Sequence, residues 1–191
     1  MKNIFNLLFG FILVVSVQSL QAQKYFTKEG NVSFYSKAPL EDIEAHNAKA
    51  TGVLDMGNGN MEWAILIKAF KFEKALMQEH FNENYMESSK FPKATFKGQL
   101  LDYIPIDLTE DASYTFQLEG TLNIHGISKP VKTTTALEIQ NGVMTGESEL
   151  TIKVADYKIG IPSIVRDKIA KEVKIVINAE FQPMDRSKVS K

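Results

Sequence analysis

The sequence predicts an all-β fold, either a sandwich of two sheets or a closed barrel. Apolar and polar residues alternate with a period of two in eight places, which is typical of half-buried strands. Two Asn-Gly pairs each lie between two such runs, where they favour tight hairpins. Eight strands with one apolar face each must bury those faces, and both architectures achieve this. Inward positions rich in Phe, Leu and Ile, and one helix between two strands, favour a barrel with a cavity.

The strands of the first half are marked by short alternating runs. Phe34 lies in a short first strand. A strand near residues 46–55 is joined to one near residues 60–67 by the Asn-Gly pair at residues 58–59, because tight hairpin turns need residues that accept a positive φ. Residues 94–101 alternate next. These runs predict four strands.

The second half contains the clearest alternation in the chain. Residues 114–124 place apolar side chains at every second position, with polar ones between them. Residues 131–139 and 144–154 flank the second Asn-Gly pair at residues 141–142, and residues 173–181 alternate near the end. Four more strands follow from these patterns.

Two segments favour helices instead of strands. Residues 74–86 lack β-branched side chains and place Met77 and Phe81 four residues apart, on one helix face. Residues 164–172 favour a short second helix, with Ser163 as its N-cap.

The two ends of the chain are predicted to lie outside the folded domain. A basic start, an apolar stretch at residues 4–17 and the small residue Ala22 are typical of a cleaved signal peptide over residues 1–22. The apolar stretch spans only about 21 Å as a helix, against roughly 30 Å of membrane hydrocarbon. We therefore expect a periplasmic protein with one domain over residues 23–184 and a frayed basic tail over residues 185–191.

Composition excludes several classes of function. The chain of 191 residues has no Cys, which rules out disulfides, thiolate zinc sites and cysteine nucleophiles. A formal net charge of −1 argues against nucleic-acid binding. His46, His80 and His125 are far apart and show no metal-ligand spacing, so we expect no metal site and no cofactor.

Two sequence motifs carry a resemblance to a known family. Residues 88–98 read Ser-Ser-Lys-Phe-Pro-Lys-Ala-Thr-Phe-Lys-Gly, and residues 118–131 read Leu-Glu-Gly-Thr-Leu-Asn-Ile-His-Gly-Ile-Ser-Lys-Pro-Val. Both resemble the YceI family of bacterial periplasmic, lipocalin-like polyisoprenoid-binding proteins. The resemblance implies an extended eight-stranded antiparallel barrel whose elongated apolar cavity holds an isoprenoid chain, such as a quinone tail. The chain has Gln78-Glu79 where the family usually has Arg-Asp.

The inward positions of this barrel are the candidate ligand-binding residues. Alternation and the helix face together give this cavity-lining set: Trp63, Ile65, Leu76, Met77, Phe81, Phe96, Phe116, Leu118, Leu122, Ile124, Leu137, Ile175 and Ile177. The same pattern also fits side chains that only pack the core. His80, on the predicted helix, is a candidate contact for a ligand head group.

These observations lead to a functional hypothesis with two alternatives. The hypothesis is a non-enzymatic carrier of an isoprenoid lipid or quinone outside the inner membrane, with transient membrane contact. The first alternative is an enzyme that acts on an apolar substrate in the same cavity, with His80 or His125 as acid or base. The second is a barrel with a filled core that acts by binding a protein partner.

Overall fold

A computed structural model describes residues 24–184, and they form a closed antiparallel barrel. Strands that follow each other in sequence pair with each other, and β1 pairs with both β2 and β9, which closes the sheet. The short β4 pairs only with β2 and is not one of the eight strands of the barrel. The predicted eight-stranded barrel is therefore confirmed. The strands are β1 Lys24–Lys37, β2 Asp42–Asp55, β3 Asn60–Leu66, β4 Lys71–Phe72, β5 Lys93–Leu100, β6 Ala112–Ile124, β7 Ile127–Gln140, β8 Val143–Lys153 and β9 Glu172–Pro183.

The first strand is longer than the sequence pattern predicts. β1 spans 14 residues, so the prediction of a short strand around Phe34 was wrong. Its pairing with β2 shifts register on both sides of Gly30, between Thr27 and Val32. Such irregularities insert an extra residue and move later side chains to the other face, which hides the period-two pattern.

Both predicted Asn-Gly hairpins are confirmed, and a third turn resembles them. Gly59 has a φ of 72°, and Asn141 and Gly142 have φ values of 52° and 77°. His125 and Gly126 join β6 to β7 with φ values of 52° and 74°. The last two turns thus have positive φ at both central residues, as a tight hairpin requires.

The barrel has two different ends. The loops of the first end, which we call the closed end, are residues 56–59, 101–111 and 141–142. The connections of the second end, which we call the mouth, are residues 38–41, 67–92, 125–126 and 154–171. Inward side chains near the closed end, such as Leu54, Leu137 and Met144, are fully buried. Those of β8 and β9 near the mouth, such as Ile152 and Ile175, are only half-buried. Empty space therefore lies inside the mouth half.

The predicted helix over residues 74–86 forms beside the mouth. It consists of α1, Ala75–His80, followed by a π-helical turn, Phe81–Tyr85. The Met86 N–H donates to the Phe81 carbonyl at 2.9 Å, which is the five-residue spacing of a π-turn. None of the helices within residues 24–184 is long and apolar enough to cross a bilayer.

The second predicted helix is wrong. Residues 164–172 contain only the end of a 3₁₀ turn, Ser163–Val165, and Ser163 makes no N-cap hydrogen bond. A helix of nine residues is marginal on its own. Tertiary hydrogen bonds hold the segment in another path: the Leu40 N–H donates to the Asp167 carbonyl at 3.0 Å, and the Ala170 N–H donates to Ser36 Oγ at 2.9 Å. The predicted signal peptide and tail lie outside the described residues.

A pair of glycines makes room for Phe96 inside the barrel. Gly98 and Gly120 face each other on β5 and β6. A Cβ atom on Gly98 would lie 2.4 Å from Phe96 Cζ, and one on Gly120 would lie 2.6 Å from the same atom. The Phe96 ring therefore lies directly over bare backbone, where no other residue type fits without displacement.

We predict that Gly120→Ala destabilises the barrel. Its new methyl group would also lie 2.4 Å from the Lys97 carbonyl oxygen, a backbone atom that cannot rotate away. Overpacking of this kind lowers the free energy of unfolding by roughly 1–3 kcal/mol. Urea unfolding measures the loss. Gly160→Ala is the matched control, since nothing lies within 4 Å of its added Cβ, and an equal loss in both variants would contradict the prediction.

Candidate binding cavity

The mouth half of the barrel encloses a cavity of about 490 Å³. It reaches the surface beside Leu76, which lines it and is 62% exposed. Most of the lining side chains are aliphatic or aromatic. The cavity is therefore suited to an apolar ligand that enters from the mouth.

Most of the predicted lining residues do line this cavity. They come from β3, β5, β6, β9 and the helix, and they are Trp63, Ile65, Leu76, Met77, Phe81, Phe96, Leu118, Leu122, Ile124, Ile175 and Ile177. The helix face lines it because Met77, Phe81 and Tyr85 recur every fourth residue. Contact of these residues with a ligand stays a prediction.

Phe116 and Leu137 do not line the cavity. Both point inward, but they lie in the closed half, where Leu137 is fully buried. Phe116 packs against Tyr103 and Tyr114, with ring centroids 5.6 and 6.2 Å apart. The alternation gave the correct face of each strand. It carries no information about depth along the barrel axis, which decides whether an inward side chain faces empty space.

An aromatic cluster that the alternation missed forms one wall of the cavity. Phe34, Phe70, Phe72 and Phe81 pack with ring centroids 5.0–5.7 Å apart. All four line the cavity. Phe70 follows a 3₁₀ turn and Phe72 ends the two-residue strand β4, so neither belongs to a run long enough to show a period. Aromatic pairs of this geometry each add about 0.5–1.5 kcal/mol beyond simple burial, which fixes this wall in place.

The connection between β8 and β9 supplies the opposite side of the mouth. It runs over residues 154–171 and contributes aliphatic side chains to the lining, namely Val154, Ile159, Ile161, Val165 and Ile169. Val165 and Ile169 both face the cavity, although the segment that carries them is not helical.

The indole of Trp63 lines the cavity and lies against the inner face of two neighbouring strands. A Cβ atom on Gly30 or on Gly52 would lie 2.8 Å from indole carbons, so the ring rests against the bare backbone of β1 and β2. On its far side Trp63 meets Phe181 edge-on, with ring centroids 5.9 Å apart. Trp63 thus has one contact with the cavity, which it lines, and one with Phe181 of the buried core.

Charged groups of the lining are concentrated at the mouth. The Lys74 ammonium lies 3.0 Å from Glu41 Oε1, and both residues line the cavity together with His80 and Lys168. Burial raises the pKa of the Tyr85 hydroxyl, another lining group, above its usual value, so this hydroxyl stays neutral. The arrangement suits an amphiphile with its polar end outward.

The polar groups deeper in the cavity bond to the protein itself. The Thr133 hydroxyl donates to the Glu149 carbonyl, and the Ser148 hydroxyl lies 2.7 Å from the Thr135 hydroxyl. Because these groups already have partners, the wall around them behaves as an apolar surface.

His125 lies behind the wall of the cavity, not in it. Its Nε2 atom is 2.7 Å from Glu87 Oε2, its Nδ1 atom is 3.3 Å from the Tyr157 carbonyl oxygen, and its ring packs edge-on against Phe91 with centroids 4.5 Å apart. Both ring nitrogens therefore have partners within the protein, and His125 does not line the cavity. His125 instead connects three segments of the mouth.

A chain of polar groups on the outer face of the barrel resembles a catalytic triad only in its distances. Ser33 Oγ lies 2.7 Å from His46 Nδ1, and His46 Nε2 lies 2.8 Å from Glu44 Oε1. More than half of the His46 and Glu44 side chains is exposed. Acyl transfer needs a sheltered site with aligned donors for the oxyanion, and this open strand surface does not offer one. Residues 24–184 also hold no cluster of three metal-ligating side chains.

The fold and the cavity define a lipocalin-like binding barrel, in which eight strands enclose one small-ligand site. The sequence matches the YceI-like domain over residues 23–181, and the chain belongs to that family. The resemblance noted in the sequence is thereby confirmed. No curated protein matches the sequence.

Three solved structures illustrate the likeness of fold. A polyisoprenoid-binding domain from Saccharophagus degradans, implicated in plant cell wall breakdown, is 16% identical, with a TM-score of 0.70 over 85% of this chain and 99% of that one. BcnA of Burkholderia cenocepacia is 18% identical, with a TM-score of 0.66 over 80% and 96%. A YceI protein of Campylobacter jejuni is 17% identical, with a TM-score of 0.56 over 74% and 85%.

We predict that His125→Ala loosens the mouth. Loss of the contacts to Glu87 and Tyr157 frees residues 81–91 from the β6–β7 turn. Hydrogen exchange measured by mass spectrometry should show faster exchange in residues 81–91, by about tenfold or more. His46→Ala, on the outer face, is the matched control. Unchanged exchange in His125→Ala would show that the imidazole does not hold this segment.

Proposed function

We propose that the protein is a non-enzymatic carrier that holds an isoprenoid lipid, either a polyisoprenoid or an isoprenoid quinone, in the barrel cavity. The observation that carries the proposal is the distribution of polarity: an apolar cavity of about 490 Å³ with charged side chains at its mouth. The neighbour from Saccharophagus degradans, described as a polyisoprenoid-binding domain, supports this class of ligand.

The energetics of such a carrier depend on the correct reference state. Transfer of an apolar chain from water gains about 0.8 kcal/mol per buried CH₂, which for a long chain exceeds any plausible net affinity. A lipid resides in a membrane, where its chain already contacts apolar groups. Its exchange with the cavity is therefore nearly balanced, and the protein can release what it binds.

Both alternative functions have less support from the cavity. A barrel that acts only through its surface needs no internal space, whereas this one encloses a cavity open at the mouth. An enzyme acting inside it would need an acid or base among the lining groups. Of the two candidates, His80 lines the mouth and His125 does not line the cavity. The enzyme alternative thus keeps only His80, which lies at the mouth. We propose that this side chain contacts the ligand head group instead.

We also propose that the carrier acts in the periplasm. The signal-peptide pattern over residues 1–22 supports this location. Cell fractionation followed by the intact mass of the mature chain tests it, because cleavage after Ala22 removes a defined mass. Recovery of the uncleaved chain from the cytoplasm would overturn the location and leave the binding proposal standing.

Exposed aliphatic side chains at the mouth support transient membrane contact. Leu40, Leu76 and Ile164 are 70%, 62% and 89% exposed. The hydrogen bond from Leu40 to Asp167 holds the first of these beside the segment that carries Ile164. Lys74 and Lys168 lie at the same opening, where they can meet lipid phosphates. Docking by this end lets a lipid enter the cavity without crossing water.

We predict that protein recovered from the bacterial envelope carries its ligand. Native mass spectrometry should show an adduct of one lipid per chain, and organic extraction should identify it as an isoprenoid or quinone. A bare chain that also takes up none of these lipids when they are added would contradict the proposal.

We predict that Leu40→Ser with Ile164→Ser weakens membrane contact. Full burial of one such side chain contributes roughly 1.5–3 kcal/mol, so loss of two partly inserted ones should lower partition onto vesicles by about tenfold or more. Cosedimentation with anionic vesicles measures it. The matched control is Ile104→Ser with Val143→Ser, at the closed end, where these residues are 56% and 42% exposed. Equal losses in both double variants would show that docking is not confined to the mouth.

A further inference from the structure

We propose that Trp63 is the floor of the cavity and limits the part of an apolar chain that the cavity holds to about three isoprene units. This inference rests on the proposed function, since it concerns the ligand of the same cavity. It follows from how the indole is held, what lies beneath it and how much space remains above it.

Two glycines on neighbouring strands set the position of the indole. Gly52 pairs with Trp63 across β2 and β3, and a Cβ atom there would lie 2.8 Å from three carbons of the ring. Gly30 on β1 makes the same space, with a Cβ position 2.8 Å from Cζ3. Neither glycine has a positive φ, so the requirement at both positions is space and not backbone conformation. The ring therefore lies across the inner face of β1 and β2 and reaches Phe181 on β9.

The region below the indole has no room for a chain. Phe181 packs edge-on against the ring, and Leu54, Leu137 and Met144 beyond it are fully buried. Because a core packed to this extent does not open for a ligand without a large cost, an apolar chain that enters from the mouth stops at Trp63.

The space above the indole sets the chain length. At about 30 Å³ per water-sized group, 490 Å³ holds about 16 carbon atoms. Three isoprene units match this capacity. The remainder of a longer polyisoprenoid chain then lies at the mouth, outside the apolar cavity, and adds little to binding.

The test is competition between prenyl alcohols and a fluorescent fatty acid bound to the full mature chain. Geraniol, farnesol and geranylgeraniol contain two, three and four isoprene units. Affinity should rise by about tenfold or more from geraniol to farnesol, and by less than about threefold from farnesol to geranylgeraniol. A second step as large as the first would overturn the proposal.

Two variants should move this limit in opposite directions. Trp63→Ala removes the floor, so geranylgeraniol should gain about tenfold over farnesol. Gly52→Ala pushes the indole toward the cavity, so farnesol should lose about tenfold while geraniol is little changed. Leu137→Ala is the control, because it makes space below an intact floor. A shift in Leu137→Ala equal to that in Trp63→Ala would overturn the assignment of the floor to Trp63.

Straight-chain alcohols of matched length distinguish this inference from the proposed function. If they bind as tightly as the prenyl series and show the same length limit, the floor stands and the isoprenoid ligand fails. If the prenyl series binds more tightly but shows no limit in any variant, the isoprenoid ligand stands and the floor fails.

Discussion

The pairing of β1 with both β2 and β9 is the interaction on which the rest of the structure depends. It turns a row of antiparallel strands into a closed wall, and without it two unpaired edges would remain. It also places Val32 and Phe34 opposite the side chains of the remaining strands, so that one interior exists. The register shifts of β1 fall on both sides of Gly30, the residue that also makes room for the Trp63 indole.

Aromatic rings laid over glycines divide that interior. Phe96 covers Gly98 and Gly120, while Trp63 lies against two further glycines on β1 and β2. In each case a large side chain turns sideways across the strands because its neighbours lack a Cβ. The barrel can thus be packed at one end and hollow at the other with the same alternating sequence in both halves.

The sequence predicts most of the barrel strands but fewer of the residues that line the cavity. Period-two alternation identifies the strands, and residues such as Leu118 and Ile175 point inward as it requires. The alternation does not show how far along the barrel axis a residue lies. For this reason it predicts Leu137 in the cavity, although Leu137 lies in the closed half. The lining from Phe70 and Ile161 was missed because both lie in irregular segments, whose path depends on tertiary contacts and not on local periodicity.

The connection over residues 154–171 differs from the strands in how it is held. Few hydrogen bonds join it to the rest of the mouth: the Leu40 N–H donates to the Asp167 carbonyl, the Ala170 N–H donates to Ser36 Oγ, and His125 Nδ1 lies 3.3 Å from the Tyr157 carbonyl oxygen. Each strand of the barrel, in contrast, is paired with a neighbour on both sides. Segments with so few bonds open locally at a lower free energy than the domain as a whole. Residues 158–170 can therefore open locally while Tyr157 stays buried and every barrel strand stays paired, so the width of the mouth depends on one short segment and not on the sheet.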